Sequence, residues 1–199
     1  MYRAHKLLTA TLATVAVLGC ASPPGPLDGY EAVQPAVSSP PQATAADYPP
    51  GQVERGRYLV DLLGCGGCHT DGALVGEPDS GRLLAGSGVG IATSDPLRVR
   101  NPAVVYPANL TPDRGTGIGD WSLAQIVTML QSGVDSHGDQ ALSVMPFLTY
   151  SRLRPEDAEA IAMYLKSLAP VAHRVPENVR AGRRARAPYV HFGVYRSEP

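Results

Sequence analysis

The sequence predicts an all-α fold in which three main helices are joined by long loops. Apolar residues recur at helical spacing in three separate segments. Between the first two of them, from Thr70 to Trp121, no strand alternation is convincing. The stretch from Thr70 to Trp121 is rich in Gly, Pro and Asp and carries no periodic pattern at all. A loop of that length counts against a compact domain unless something supplies apolar surface for it to wrap.

The first helix is expected over residues 52–63, after Pro49 and Pro50 and before Gly64. Its apolar residues, Val53, Leu59, Val60, Leu62 and Leu63, crowd its second half. Gly56 inside it costs about 1 kcal/mol relative to alanine, which points to close approach of another backbone. The second helix is expected from Ser122 to about Ser132. Ser122 and Gln125 form a capping box, Leu123, Ile126, Val127 and Leu130 share a face, and Gly133 ends it. The third is expected over residues 155–168, with Pro155 at the first helical position and Glu156 and Asp157 facing the positive end of the dipole. Ala158, Ile161, Ala162, Leu165 and Leu168 form its stripe, and Pro170 closes it.

The chain has 199 residues, enough for one domain with appendages. Residues 1–19 read as an export signal. Arg3 and Lys6 precede an uncharged run over residues 7–19, shorter than the ~20 residues of a membrane-spanning helix. A short N-terminal membrane anchor is the other reading. The run ends in "VLGC", which resembles a bacterial lipoprotein cleavage box, so Cys20 is expected to be lipidated; the alternative is a spare thiol. Residues 20–50, dense in Pro, Ala and Ser, read as a linker. Residues 51–171 form the expected domain and residues 172–199 a basic C-terminal tail. The formal net charge of −1 hides a split. Residues 51–170 carry thirteen acids against nine bases, and residues 171–199 six arginines against two glutamates. The split hints at docking through charge, beside the plainer reading of a solvated tail. No nucleic-acid partner is expected.

Two of the three cysteines lie in "GCGGCH", residues 64–69. C-x-x-C serves as a redox dithiol, a zinc half-site or a haem attachment point. Structural zinc needs about four ligands, and His137, His173 and His191 show no paired spacing with the cysteines. A thioredoxin-type dithiol follows a strand in an α/β pattern, whereas a helix is expected before Cys65. The added histidine selects haem c. Cys65 and Cys68 would form thioethers to its two vinyl groups, and His69 would lie beneath the iron. For the second axial face Met145 is expected, because Pro146 disfavours helix there and a loop thioether can reach the metal. Met129 and Met163 fall within expected helices, where methionine is usually core filler. His137 is the runner-up ligand. One covalent haem c is therefore expected, held by Cys65, Cys68, His69 and Met145.

The helix before "CGGCH", the methionine–proline loop and the closing "IAMYLKSLAP" together resemble a class I, single-haem cytochrome c. "YPANLTPDRGTGIGDWS" at Tyr106 to Ser122 and "MPFLTYSRLRPEDAEAIAMYLKSLAPV" at Met145 to Val171 are similar to the haem modules in cytochrome subunits of membrane-bound alcohol and aldehyde dehydrogenases. The resemblance covers about residues 51–171. It implies a class I cytochrome c fold whose first and last helices cross near the haem edge, with Gly56 and Tyr164 at the crossing. It also implies that Trp121 and Tyr150 lie near the haem or its propionates. Those dehydrogenase subunits usually carry three such modules and this chain has one. The arginine-rich tail is outside the pattern.

His/Met ligation raises the potential of haem iron and leaves no open coordination position for a substrate. The expected role is thus electron transfer, not catalysis. The chain would be a periplasm-facing, lipid-anchored carrier or haem subunit. It would pass electrons from a dehydrogenase towards a cytochrome or oxidase of the respiratory chain. The competing readings are a haem enzyme or gas/redox sensor with a labile Met145, and a thiol–disulfide enzyme.

Overall fold

A computed structural model describes residues 25, 28–95, 98–134 and 144–193. Helix α1 spans Pro50–Leu62, with Pro50 opening it and Gly64 turning the chain out at a φ of +68°. Helix α2, Cys65–His69, follows at once. Helix α3 is Leu123–Ser132. Its Ser122 side chain accepts from the Gln125 N–H at 3.2 Å, and the Gln125 side chain accepts from the Ser122 N–H at 2.8 Å. A short α4, Phe147–Tyr150, leads to α5, Pro155–Lys166, whose first turn carries Glu156 and Asp157 and whose last carries Lys166. The three main helices lie within about two residues of their expected bounds, the usual fraying margin.

Helices α1 and α5 pack against each other. The contact is close because Gly56 has no side chain. A Cβ there would overlap the Ala160 carbonyl oxygen and come 2.7 Å from the Tyr164 Cβ. Val53, Leu59 and Val60 bury against Ile161, Ala162, Tyr164 and Leu165 in one cluster that α3 completes with Ile126 and Leu130. Arg55 pairs with Asp157 across the crossing at 2.9 Å.

The long loop is held by side chains that replace a backbone ladder. Buried Asn109 donates to the Val171 carbonyl at 2.8 Å and to the Thr116 hydroxyl at 3.0 Å. Its own side-chain oxygen accepts from the Thr111 N–H and hydroxyl. Lys166 closes the far end by donating to the carbonyls of Ile118 and Gly119.

The all-α expectation is met by the helices and corrected by a small sheet. Strand β1, Gly90–Ala92, pairs antiparallel with β2, Val104–Val105, and parallel with β3, Tyr189–Val190. Strands of two or three residues are too short to show alternation. The β1–β3 pairing joins residues about a hundred positions apart. Residues 172–193 therefore lie along the body, with Val190 in a second apolar cluster beside Leu74, Val89 and Ile91. The Pro-rich stretch before α1 also docks. Tyr164 donates to the Pro41 carbonyl at 2.6 Å, and Thr44 and Ala45 donate to the Ser167 carbonyl. Among the described residues no helix is long and apolar enough to cross a membrane.

Candidate functional site

Helix α2 straddles the two apolar clusters. Cys65 packs against the main one and Cys68 against the second, together with Val144. Positions three apart share a helix face, so the two free thiols sit one above the other. Burial pushes the Cys65 thiol up to about 11 and raises Cys68 as well. A nucleophilic cysteine needs the opposite shift. With α1 rather than a strand in front, the pair lacks the setting of a thiol–disulfide enzyme.

His69 is 8 % exposed. Its Nδ1 lies 2.7 Å from the Ala108 carbonyl oxygen. A carbonyl only accepts, so Nδ1 carries the proton and Nε2 holds the lone pair. Burial, chiefly, lowers the affinity of the ring for a second proton, against the opposing effect of the Ala108 bond. The result is a neutral imidazole with a fixed tautomer, the form that binds metal. Nε2 has no hydrogen-bond partner among the described residues. The His69 carbonyl accepts from the Gly86 N–H at 2.8 Å, which ties the end of α2 to the loop that it faces.

Met145 lies on a bend before Pro146, half-buried against the same cluster as Cys65. Its carbonyl accepts from the Phe147 N–H at 2.9 Å, which starts the turn into α4. Tyr150 is buried at the end of α4, and its hydroxyl is pushed up to about 12, by burial first and then by the two cysteines. Trp121 packs on the main cluster, and its indole N–H has no partner among the described residues.

Cys65, Met145 and Trp121 thus pack on the main cluster and Cys68 on the second, with His69 closing the helix that carries both cysteines. Cys20 and His137 lie outside the described residues. Among the described residues no three His, Cys, Asp or Glu side chains gather as a metal site. The donor set fits haem c: two free thiols on one face, an imidazole nitrogen with its lone pair free and a half-buried thioether. The Ala108 carbonyl was invisible to sequence reasoning, because any residue supplies that oxygen. The glycines of the motif serve different ends. Gly64 provides the left-handed turn and Gly66 passes close to the Ser38 carbonyl, while a Cβ on Gly67 would meet nothing among the described residues.

A helix-borne C-x-x-C-H resembles a c-type haem attachment site, and the comparisons point to proteins of that kind. No family model matches the chain. Over 128 residues it is 32% identical to the fructose dehydrogenase cytochrome subunit of Gluconobacter japonicus, covering 64% of this chain and 24% of that one. It is 31% identical over 131 residues to the cytochrome c subunit of the quinone alcohol dehydrogenase of Gluconobacter oxydans, covering 65% and 24%. It is 27% identical over 166 residues to a dihaem c-type cytochrome of Cereibacter sphaeroides, covering 83% and 49%. The chain spans about a quarter of the length of the dehydrogenase subunits that it matches. It resembles cytochrome c subunits of sugar and alcohol dehydrogenases.

Proposed function

We propose that this chain is a class I c-type cytochrome that transfers single electrons. In this reading Cys65 and Cys68 would anchor one haem, and His69 Nε2 and the Met145 sulfur would ligate its iron. The bound haem supplies a one-electron couple whose potential the thioether raises. The polypeptide does the rest. The Ala108 carbonyl holds the imidazole in one tautomer and one orientation. The two apolar clusters keep water from the ring. The half-buried bend of residues 144–146 presents a soft ligand without closing a helix over it. Trp121 has a free indole donor to offer a propionate.

The observation that carries the reading is the His69–Ala108 hydrogen bond directly after a free C-x-x-C pair. The similarity to cytochrome c subunits of dehydrogenases supports electron transfer over catalysis, and supports a dehydrogenase as donor. Export by residues 1–19, a lipid on Cys20 and a place on the periplasmic side of a bacterial membrane complete the proposal. The acceptor is then a cytochrome or oxidase of the respiratory chain.

A potentiometric titration of the purified chain, followed in the visible spectrum, tests it. The expected result is a single transition with a one-electron slope. Two transitions within this chain would contradict the single-haem reading, and no redox-active band would contradict the cytochrome.

A further inference from the structure

A concavity of about 550 Å³ lies between the chain at residues 176–187 and Tyr106. Its walls are fixed by specific bonds. Val104 and Val179 exchange two backbone hydrogen bonds of 2.8 Å. The Asn178 side chain accepts from the Tyr106 N–H at 2.9 Å, and the Tyr106 hydroxyl donates to the Ala187 carbonyl at 3.0 Å. Gly182, at a φ of +84°, donates to the Asn101 carbonyl at 2.8 Å and makes the turn. This part of the tail is a shaped wall.

Arg180, Arg183, Arg184 and Arg186 all line the concavity, and among the described residues Glu177 is the one acid there. All four arginines are exposed, and among the described residues none of their guanidinium groups makes an ion pair. Four like charges around one hollow repel each other. An anion seated among them relieves that repulsion and accepts paired N–H groups in the planar fork that arginine presents.

We propose that this concavity is a binding site for a compact soluble anion bearing two or more phosphate-type charges. The volume falls within the roughly 300–1,000 Å³ range of small-molecule sites. A flat lipid surface cannot enter a hollow, whereas a small diphosphate can reach several guanidinium groups at once. The site is separate from the haem ligands, so its failure leaves the electron-transfer reading standing.

The test is calorimetric titration of the full-length, haem-loaded chain with inorganic pyrophosphate at low salt and at about 0.15 M salt. One saturable site is expected, weaker at the higher salt. Arg183→Ala/Arg184→Ala should lower the affinity about tenfold with an unchanged circular dichroism spectrum, in line with the strength of charge-assisted bidentate pairs. Arg183→Lys/Arg184→Lys should fall between, since charge is kept and the fork is lost. Arg152→Ala/Arg154→Ala, outside the concavity, should change nothing. Absence of a saturable site, or an affinity unmoved by Arg183→Ala/Arg184→Ala, overturns the proposal. So does binding to phosphatidylglycerol–phosphatidylcholine vesicles that pyrophosphate does not compete away, if pyrophosphate itself shows no site.

Discussion

The His69 ring is aimed by a residue thirty-nine positions away: its Nδ1 lies 2.7 Å from the Ala108 carbonyl oxygen. The neighbour of that carbonyl, Asn109, is buried and joins Thr111, Thr116 and Val171 through its side chain. The long loop is therefore the positioning device for the histidine.

Asn109→Ala should loosen that device. Leaving buried polar partners unpaired costs about 1–3 kcal/mol per group, so a total loss of about 3 kcal/mol is expected in chemical unfolding. Asn109 acts through the Ala108 carbonyl, so the haem-loaded variant should also show a broadened or mixed low-spin spectrum. A purely structural role would lower stability and leave that spectrum sharp.

Gly56→Ala sets two effects against each other. Alanine gains about 1 kcal/mol of helix propensity. The new Cβ would overlap the Ala160 carbonyl, a backbone atom that cannot rotate away. Overpacking of this kind costs typically about 1–3 kcal/mol, and more where backbone must move. Net destabilisation of at least about 1 kcal/mol is expected, read as a lower denaturant midpoint. A stabilised variant would show that α1 and α5 can slide apart freely.

Met145→His should lower the midpoint potential by on the order of 0.2 V, a fraction of the ~0.8 V that axial ligands command. Met145→Ala should bind carbon monoxide rapidly in the reduced state, while the parent protein should bind it slowly. Equally fast binding by the parent at neutral pH would favour the sensor or enzyme reading, with Met145 labile.

Asp113 gives a pH dependence. Its carboxylate accepts from the Thr116 hydroxyl and N–H and from the Gly115 N–H, and the Thr116 hydroxyl chiefly holds its pKa below the ordinary value. A carboxyl lowered on folding contributes stability above its unfolded pKa and loses it as the pH falls through the folded one. Asp113→Asn should therefore be less stable than the parent at pH 7, and the gap should narrow as the pH falls below about 4, the ordinary carboxylate range. A gap that stays constant down to low pH would remove Asp113 from the account.

Local chemistry made the helices and the attachment motif legible. Pro50 and Pro155 open their helices, Ser122 and Gln125 cap theirs, and six consecutive letters carry both thiols and the imidazole. Gly56 could be read as a close contact because a glycine inside a helix needs a reason. The sheet could not be read. Gly90 and Tyr189 pair across the length of the domain, and strands of two or three residues leave no period. The Ala108 oxygen was hidden for a different reason, since backbone acceptors carry no sequence signature. The arginines of the tail were visible as charge, but their convergence on one hollow depends on Val104–Val179 and Tyr106–Asn178 contacts that only folding reveals.

The most direct measurement is the mass of the peptide containing Cys65, Cys68 and His69, released by proteolysis from protein made in a host that matures c-type cytochromes. The account predicts that this peptide carries the added mass of one haem and that neither thiol reacts with an alkylating reagent. A peptide of unmodified mass with two alkylatable thiols, from protein that is folded, would contradict it.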